Sequence, residues 1–133
     1  MNLNLNLGTL SAVFIGGGVG CVFRYLISLY FNKSSASIFP LGTFVVNMLG
    51  CLLLGFFFAV LMNKSEISSG LKLFLSVGFC GGLTTFSTFS WELITIFPQN
   101  QILALLYGVI SLIFGLFFVL LGIYIGGAIV KNV

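Results

Sequence analysis

Gly78-Phe79-Cys80-Gly81-Gly82-Leu83-Thr84-Thr85-Phe86-Ser87-Thr88-Phe89-Ser90-Trp91-Glu92 lies in the middle of a long apolar run. Glycines, a row of hydroxyl and thiol side chains and a carboxylate crowd into it. A span that only had to sit in lipid would avoid them, because glycine weakens a helix and hydroxyls compete for its carbonyls. Broken backbone at membrane depth persists only where protein or a watery cavity surrounds it. The stretch therefore predicts one half-helix ending over residues 78–82 and another beginning at Thr84. Carbonyls and amides freed between the halves become candidate ion ligands. Close helix packing through small residues is the competing account of the same glycines. The clustering of the interruption, and the polar–aromatic alternation after it, favour the broken helix.

Composition sets the class around that stretch. Of 133 residues, 59% are hydrophobic and 5% charged, whereas a soluble domain carries about 25% charged residues. The mean hydropathy is +1.25. Such a chain is an all-α membrane protein with too little polar surface for solution. At about 20 residues per span it has room for four or five crossings and one domain, 1–133. The formal charge of +3 comes from five basic and two acidic residues, too sparse for the basic patch of a nucleic-acid binder. Cys21, Cys51 and Cys80 all fall in apolar runs, an odd set that argues against a disulfide framework. Histidine is absent, so no transition-metal cluster is visible. Residues 1–9 lack a basic leader region, and no cleavable signal is expected.

Working outward, four spans are predicted at about 7–31, 39–62, 71–97 and 101–130. Gly16, Gly17, Gly18 and Gly20 crowd the first and mark a packing surface. Arg24, near its far end, either snorkels to the interface or serves the site, by anchoring the break or by drawing anions toward a pore mouth; its depth decides. Pro40 suits the first turn of the second span. Thr43 and Asn47 lie four apart and share a face, where a neutral amide can donate to an anion or tie helices together. In the third span Phe86 and Phe89 share an aromatic face, while Thr85, Thr88 and Glu92 follow a polar one. Aromatic pairs are usually core packing, but their positive ring edges can also hold a desolvated anion. Glu92 can be a proton group, a partner for Arg24 or a helix-interface acceptor, and the sequence does not choose. Pro98, Gln99 and Asn100 make a tight turn. Tyr107 and Ser111 then share a face of the fourth span, with an interfacial belt as the plain account of Tyr107.

Four spans put both termini on one side, with Lys64, Lys72 and Lys131, and leave Lys33 on the other. So slight a bias is a weak orientation signal and fits insertion in both directions. Four helices enclose little volume, so a polar path forms more easily between subunits. A twofold axis in the membrane plane then requires two copies inserted oppositely.

The run Gly78 to Phe89 with Glu92 closely resembles the signature of the Fluc/CrcB fluoride channel family. The early glycines with Arg24, the Gly42-Thr43-Phe44-Val45-Val46-Asn47 run and Tyr107 with Ser111 extend the match over essentially the whole chain. The resemblance implies an antiparallel, dual-topology homodimer with two fluoride pores, each built from both chains. Backbone carbonyls matching Gly81 and Thr84 of each chain would hold one structural sodium ion on the twofold axis. Phe86 and Phe89 match the ring-bearing fluoride path, Asn47 the amide near the fluoride sites, and Thr88, Tyr107 and Ser111 the polar track beside them. Arg24, with Thr43 and Glu92, falls where the vestibule or the break is supported, and the role of Glu92 stays open. The implied setting is the cell inner or plasma membrane, crossed several times.

Fluoride is small and holds its water tightly, so a pore must replace that water with donors without trapping the ion. Neutral donors and ring edges do this more loosely than a lysine. A fixed sodium ion would raise the local potential for anions, and carbonyls without carboxylates suit it better than calcium or magnesium. The expected function is thus passive fluoride export that lowers its toxicity, not enzymatic chemistry. The alternatives are a proton-coupled fluoride or small-anion exchanger using Glu92, and a structural membrane subunit packed through its glycines.

Overall fold

A computed structural model describes residues 6–33, 38–61, 64 and 66–131. The expected end of the second span at Met62, and parts of both polar links and the N-terminal tail, lie outside the described residues. The helices are α1 (Leu7–Lys33), α2 (Leu41–Leu61), α3 (Ser69–Leu73), a π-helical turn (Phe74–Cys80), α4 (Gly81–Leu83), α5 (Phe86–Ile96) and α6 (Gln101–Lys131). They make four stretches long and apolar enough to cross a membrane, at Leu7–Asn32, Leu41–Leu61, Ser69–Ile96 and Gln101–Lys131. The all-helical class, the four spans and the interruption of the third agree with the sequence reading.

The four spans pair through glycine. Beside α1, an added Cβ at Gly16 would collide with the carbonyl of Phe74, and one at Gly20 with that of Phe79. From the other side, a Cβ at Gly78 would lie 2.9 Å from the carbonyl of Val13, and one at Gly82 would strike that of Gly17. Backbones come this close only where neither helix carries a side chain at the crossing. The α2–α6 pair is built the same way, with Gly55 against Val119 and Gly122 against Leu52. Gly18, by contrast, faces open space, so three of the four early glycines form the packing surface.

The packing account therefore holds for Gly78 and Gly82, and the break lies two residues further on than expected. The helix continues through Leu83, with Gly81 itself helical at φ −64°, ψ −37°. Only Thr84 (φ −84°, ψ 157°) and Thr85 (φ −149°, ψ 122°) are extended. Glycine's weakness in a helix is outweighed here by the close approach of α1, while two adjacent β-branched residues are poor helix formers. Thr85 then starts α5 as its N-cap, its Oγ1 accepting from the Thr88 amide at 3.3 Å. Ahead of the break, the wide turn Phe74–Cys80 begins where the Ser76 hydroxyl takes the Lys72 carbonyl at 2.6 Å. Such turns recur at functional sites.

The ends are tied by polar side chains. Asn32 Oδ1 accepts from the Gly42 amide at 3.2 Å, joining the end of α1 to the start of α2. After α5, the amides of Gln99 and Asn100 both return to the Ile96 carbonyl, and Asn100 Oδ1 caps Leu103 at 2.9 Å. The turn predicted at Pro98, Gln99 and Asn100 is thus formed.

Candidate functional site: the break and its groove

The site begins with two extended residues that must find hydrogen-bond partners away from water. Asn47 supplies them for Thr85. Its Oδ1 accepts from the Thr85 amide at 2.8 Å and its Nδ2 donates to the Thr85 carbonyl at 3.2 Å. The side chain pairs with that peptide as a neighbouring strand would. One Nδ2 hydrogen is left over, since a carboxamide carries two.

This pairing frees the carbonyl of Gly81. In an unbroken helix the Thr85 amide would close on Gly81, and here it is given to Asn47 instead. The carbonyl of Thr84 is released in the same way, because its helical donor, the Thr88 amide, goes to Thr85 Oγ1. Arg24 reaches the Thr84 carbonyl through Nη1 at 3.3 Å and donates to Cys21 Sγ through Nη2 at 3.6 Å. Thr84 ties itself backward, its amide and its hydroxyl both donating to the Cys80 carbonyl at 3.0 Å. Arg24 is thus bonded directly to the break.

A second polar knot lies farther along α5. Glu92 accepts from Thr43 Oγ1 at 2.5 Å on one oxygen and from Tyr107 Oη at 2.8 Å on the other. Each carboxylate oxygen thus accepts one bond, from α2 and from α6, as a helix-interface acceptor would. Tyr107 is fully buried, so it is not a belt residue. Its ring packs on Phe89 (centroids 5.1 Å, 60°) and meets Phe39 in a T-shaped contact (5.1 Å, 75°).

Asn47, Gly81, Thr84, Phe86, Phe89 and Ser111 meet along one open groove of about 680 Å³. Phe86 and Phe89 stand 6.0 Å apart at 42°. Phe86 is 79% exposed in the single chain, which is far more than a packing residue needs. Ser111 Oγ is buried and has no hydrogen-bond partner among the described residues, although a hydroxyl in such a place normally finds one. Thr88 is exposed and lies outside the groove lining, its hydroxyl accepting from Thr85 Oγ1 at 3.1 Å. Thr43, Glu92 and Tyr107 form the separate knot behind Phe89. Sequence reasoning missed Thr85 as the hinge of the site. Its signal was present, a threonine three residues before another hydroxyl at the start of a helix.

Along the groove lie the Asn47 amide, the Ser111 hydroxyl, the rings of Phe86 and Phe89, and Gly81 and Thr84 of the break. The family described as CrcB-like protein, Camphor Resistance (CrcB), matches residues 11–123. A protein of Flavobacterium psychrophilum named fluoride-specific ion channel FluC is 49% identical over 109 residues, 81% of this chain and 88% of that protein. The fluoride-specific ion channel FluC of Phocaeicola vulgatus is 39% identical over 117 residues, 87% of this chain and 96% of its own length. Fluoride-specific ion channel FluC 1 of Yersinia pseudotuberculosis is 46% identical over 94 residues, 71% and 73%. With four apolar spans, a third one broken at Thr84 and Thr85, and this match over most of its length, the chain belongs to the CrcB family.

Proposed function

We propose that this chain is a fluoride-specific channel of the cell membrane, a passive conductor and not an enzyme. The names borne by its relatives give the ion. The observation that carries the reading is the buried, unpartnered hydroxyl of Ser111 in the groove it shares with Asn47, Phe86 and Phe89. Fluoride accepts hydrogen bonds, and Ser111 O–H and the remaining Asn47 N–H are donors not spent on holding the fold. The ring edges of Phe86 and Phe89 add weak positive sites between them. A row of weak sites lets an ion shed water and still leave. Ser111 would continue the polar track, whereas Thr88 lies outside the groove lining and Tyr107 spends its hydroxyl hydrogen on Glu92.

The path is completed, in this reading, by a second copy inserted the other way. Support comes from the groove, which is open along the single chain, and from Phe86, which has little around it there. One sodium ion on the axis would be held by the carbonyls of Gly81 and Thr84 from both chains. The Gly81 carbonyl, which has lost its helical donor, fits the ion, and the Thr84 carbonyl keeps a second lone pair beside its bond from Arg24. When bound, the ion raises the local potential for anions. Arg24 steadies one of its ligands from behind.

Purified protein in fluoride-loaded liposomes tests the function. Adding a potassium ionophore should release fluoride electrogenically. Absence of efflux, or chloride efflux of equal size, would overturn the proposal. Uphill fluoride movement driven by a proton gradient would replace it with exchange through Glu92.

A further inference from the structure

Gly16, Gly20 and Arg24 follow one another at every fourth residue of α1 and so share a face. An added Cβ at Gly16 would collide with the Phe74 carbonyl and lie 3.1 Å from the Phe79 nitrogen. One at Gly20 would collide with the Phe79 carbonyl and lie 2.8 Å from the Leu83 nitrogen. Arg24, a turn further on, donates to the Thr84 carbonyl at 3.3 Å. Each glycine thus sits over one carbonyl and one amide of the third span. The two pairs are unequal. Phe79 and Leu83 are four residues apart, the spacing of an α-helical bond. Phe74 and Phe79 are five apart, the spacing of a π-helical one.

Four steps along α1, from Gly16 to Gly20, are therefore matched by five along the third span, from Phe74 to Phe79. The third span carries one residue more than this contact uses, and the π-helical turn holds it. From Gly78 onward the match is step for step. A Cβ at Gly78 would lie 2.9 Å from the Val13 carbonyl and 3.1 Å from the Gly17 nitrogen. A Cβ at Gly82 would strike the Gly17 carbonyl and lie 3.1 Å from the Cys21 nitrogen. Four steps of one helix there meet four of the other. The surplus residue falls between Phe74 and Gly78, on the Lys72 side of the break. The segment from Gly78 to Thr84 is seated on α1 directly, by two glycine pairs and by Arg24.

We propose that α1, through Gly16, Gly20 and Arg24, sets the position of the break, and that the π-helical turn is slack uncoupling the break from the helix that leads into it. The two glycines are positioning residues and touch no ion. That the carbonyls they position hold sodium rests on the reading above, while the register of the break does not. Slack makes the two helices respond differently to the same change. Removing Leu75 leaves Phe74 and Phe79 four apart. The same carbonyl and amide then close an ordinary helical bond, and everything from Gly78 onward stays where it is. Leu75 is no part of the groove lining. Removing Gly18 deletes a residue that faces open space. It nevertheless leaves Gly16 and Gly20 three apart and turns Gly20 and Arg24 by about 100° from their partners.

The test makes each deletion in the full-length protein. A crystal structure of the Leu75-deleted protein should show plain α-helix from Ser69 to Leu83, with Thr84 and Thr85 still extended and Asn47 still bonded to Thr85. A break displaced by one residue, or a wide turn formed again elsewhere in the third span, overturns the proposal. In detergent the Leu75-deleted protein should unfold within a few degrees of the parent. The Gly18-deleted protein should unfold at least about 5 °C lower or fail to assemble. Deletion of Val77 restores the same ordinary bond and serves as the second variant for structure and unfolding. Failure of both the Leu75 and the Val77 deletions to assemble overturns the proposal, and so does a harmless deletion of Gly18. In liposomes, fluoride efflux per assembled protein should survive the loss of Leu75 and vanish with the loss of Gly18. If the parent conducts no fluoride the channel reading falls, while the structure and the unfolding midpoints still decide the register.

Discussion

Asn47 and Thr85 are joined by two hydrogen bonds, one given and one received, so a single side chain replaces the helical bonds lost at the break. The carboxamide is the shortest side chain that can both donate and accept in one plane. This pairing holds Thr85 extended and leaves the Gly81 carbonyl without its usual donor, linking the fold of α2 to the chemistry of the break.

Asn47→Asp keeps the acceptor for the Thr85 amide but sets a carboxylate against the Thr85 carbonyl and beside an anion path. Asn47→Ser loses the reach and leaves both Thr85 groups unpaired, at a cost of about 1–3 kcal/mol for each buried group. Fluoride efflux per reconstituted protein should fall further in Asn47→Asp, while thermal stability in detergent should fall further in Asn47→Ser. Efflux in Asn47→Asp matching the unmodified protein would remove Asn47 from the path.

The Glu92 knot makes a different prediction. Thr43 and Tyr107 occupy the two oxygens of one carboxylate, so their substitutions are coupled. Thr43→Val and Tyr107→Phe should each destabilise the folded protein by roughly 1–3 kcal/mol, the loss of a bond to a half-buried carboxylate. In the double variant the two losses should depart from additivity by about 0.5 kcal/mol or more. Unfolding midpoints of the four proteins check it. Strict additivity would mean that the carboxylate does not couple the two helices.

Much of this was legible in the sequence. Apolar length marks the four spans, and the mixture of glycine and hydroxyl residues marks the third as interrupted. The shared face of Thr43 and Asn47 follows from their spacing alone. Their partners do not, because Thr43 meets Glu92 and Asn47 meets Thr85 across helix contacts that no local pattern encodes. The exact place of the break was hidden for a related reason. Gly81 and Gly82 look like the weak point from helix propensity, but α1 presses against Gly82 through the Gly17 backbone. The chain yields instead at Thr84 and Thr85, where Asn47, distant in sequence, offers an alternative partner. The buried hydroxyl of Ser111 is likewise a property of the packed groove.

The glycine surfaces can be separated from the merely flexible glycines. Gly20→Ala would press a methyl into the Phe79 carbonyl, whereas Gly18→Ala meets nothing within 4 Å. Overpacking of this kind costs about 1–3 kcal/mol, and alanine in open helix gains up to about 1 kcal/mol over glycine. Thermal unfolding in detergent should therefore show Gly20→Ala clearly destabilised and Gly18→Ala unchanged or slightly stabilised. Equal behaviour of the two would mean that α1 does not approach the third span as closely as the structure has it.

The proposed sodium site is main-chain, so its side chains and its backbone can be tested apart. Thr84→Ala deletes the hydroxyl bond to Cys80 and keeps the carbonyl. Thr85→Pro removes the amide held by Asn47 and demands a φ near −65° where the chain has −149°. Sodium should persist in a crystal structure of Thr84→Ala and vanish with Thr85→Pro. Metal–oxygen distances near about 2.1 Å with octahedral waters would instead identify magnesium.

The rings provide the last test. Phe86 is 79% exposed in the chain, so replacing it removes little packing within one subunit, while Phe89 stacks against Tyr107 and costs more. Phe86→Ile and Phe89→Ile keep apolar bulk and lose the positive ring edge. If that edge stabilises fluoride as it crosses by about 1 kcal/mol, the rate falls several-fold per ring, since about 1.4 kcal/mol is a factor of ten. Phe86→Met, flexible and polarisable, should be partly tolerated. Efflux must be divided by the amount of assembled protein in the liposomes, because packing and conduction predict opposite patterns. Packing predicts less assembled protein with unchanged flux per unit. Conduction predicts a normal amount of assembled Phe86→Ile protein with flux per unit cut several-fold. Unchanged normalised efflux in both isoleucine variants would take the rings out of the path, and fluoride conduction would then have to rest on Asn47 and Ser111 alone.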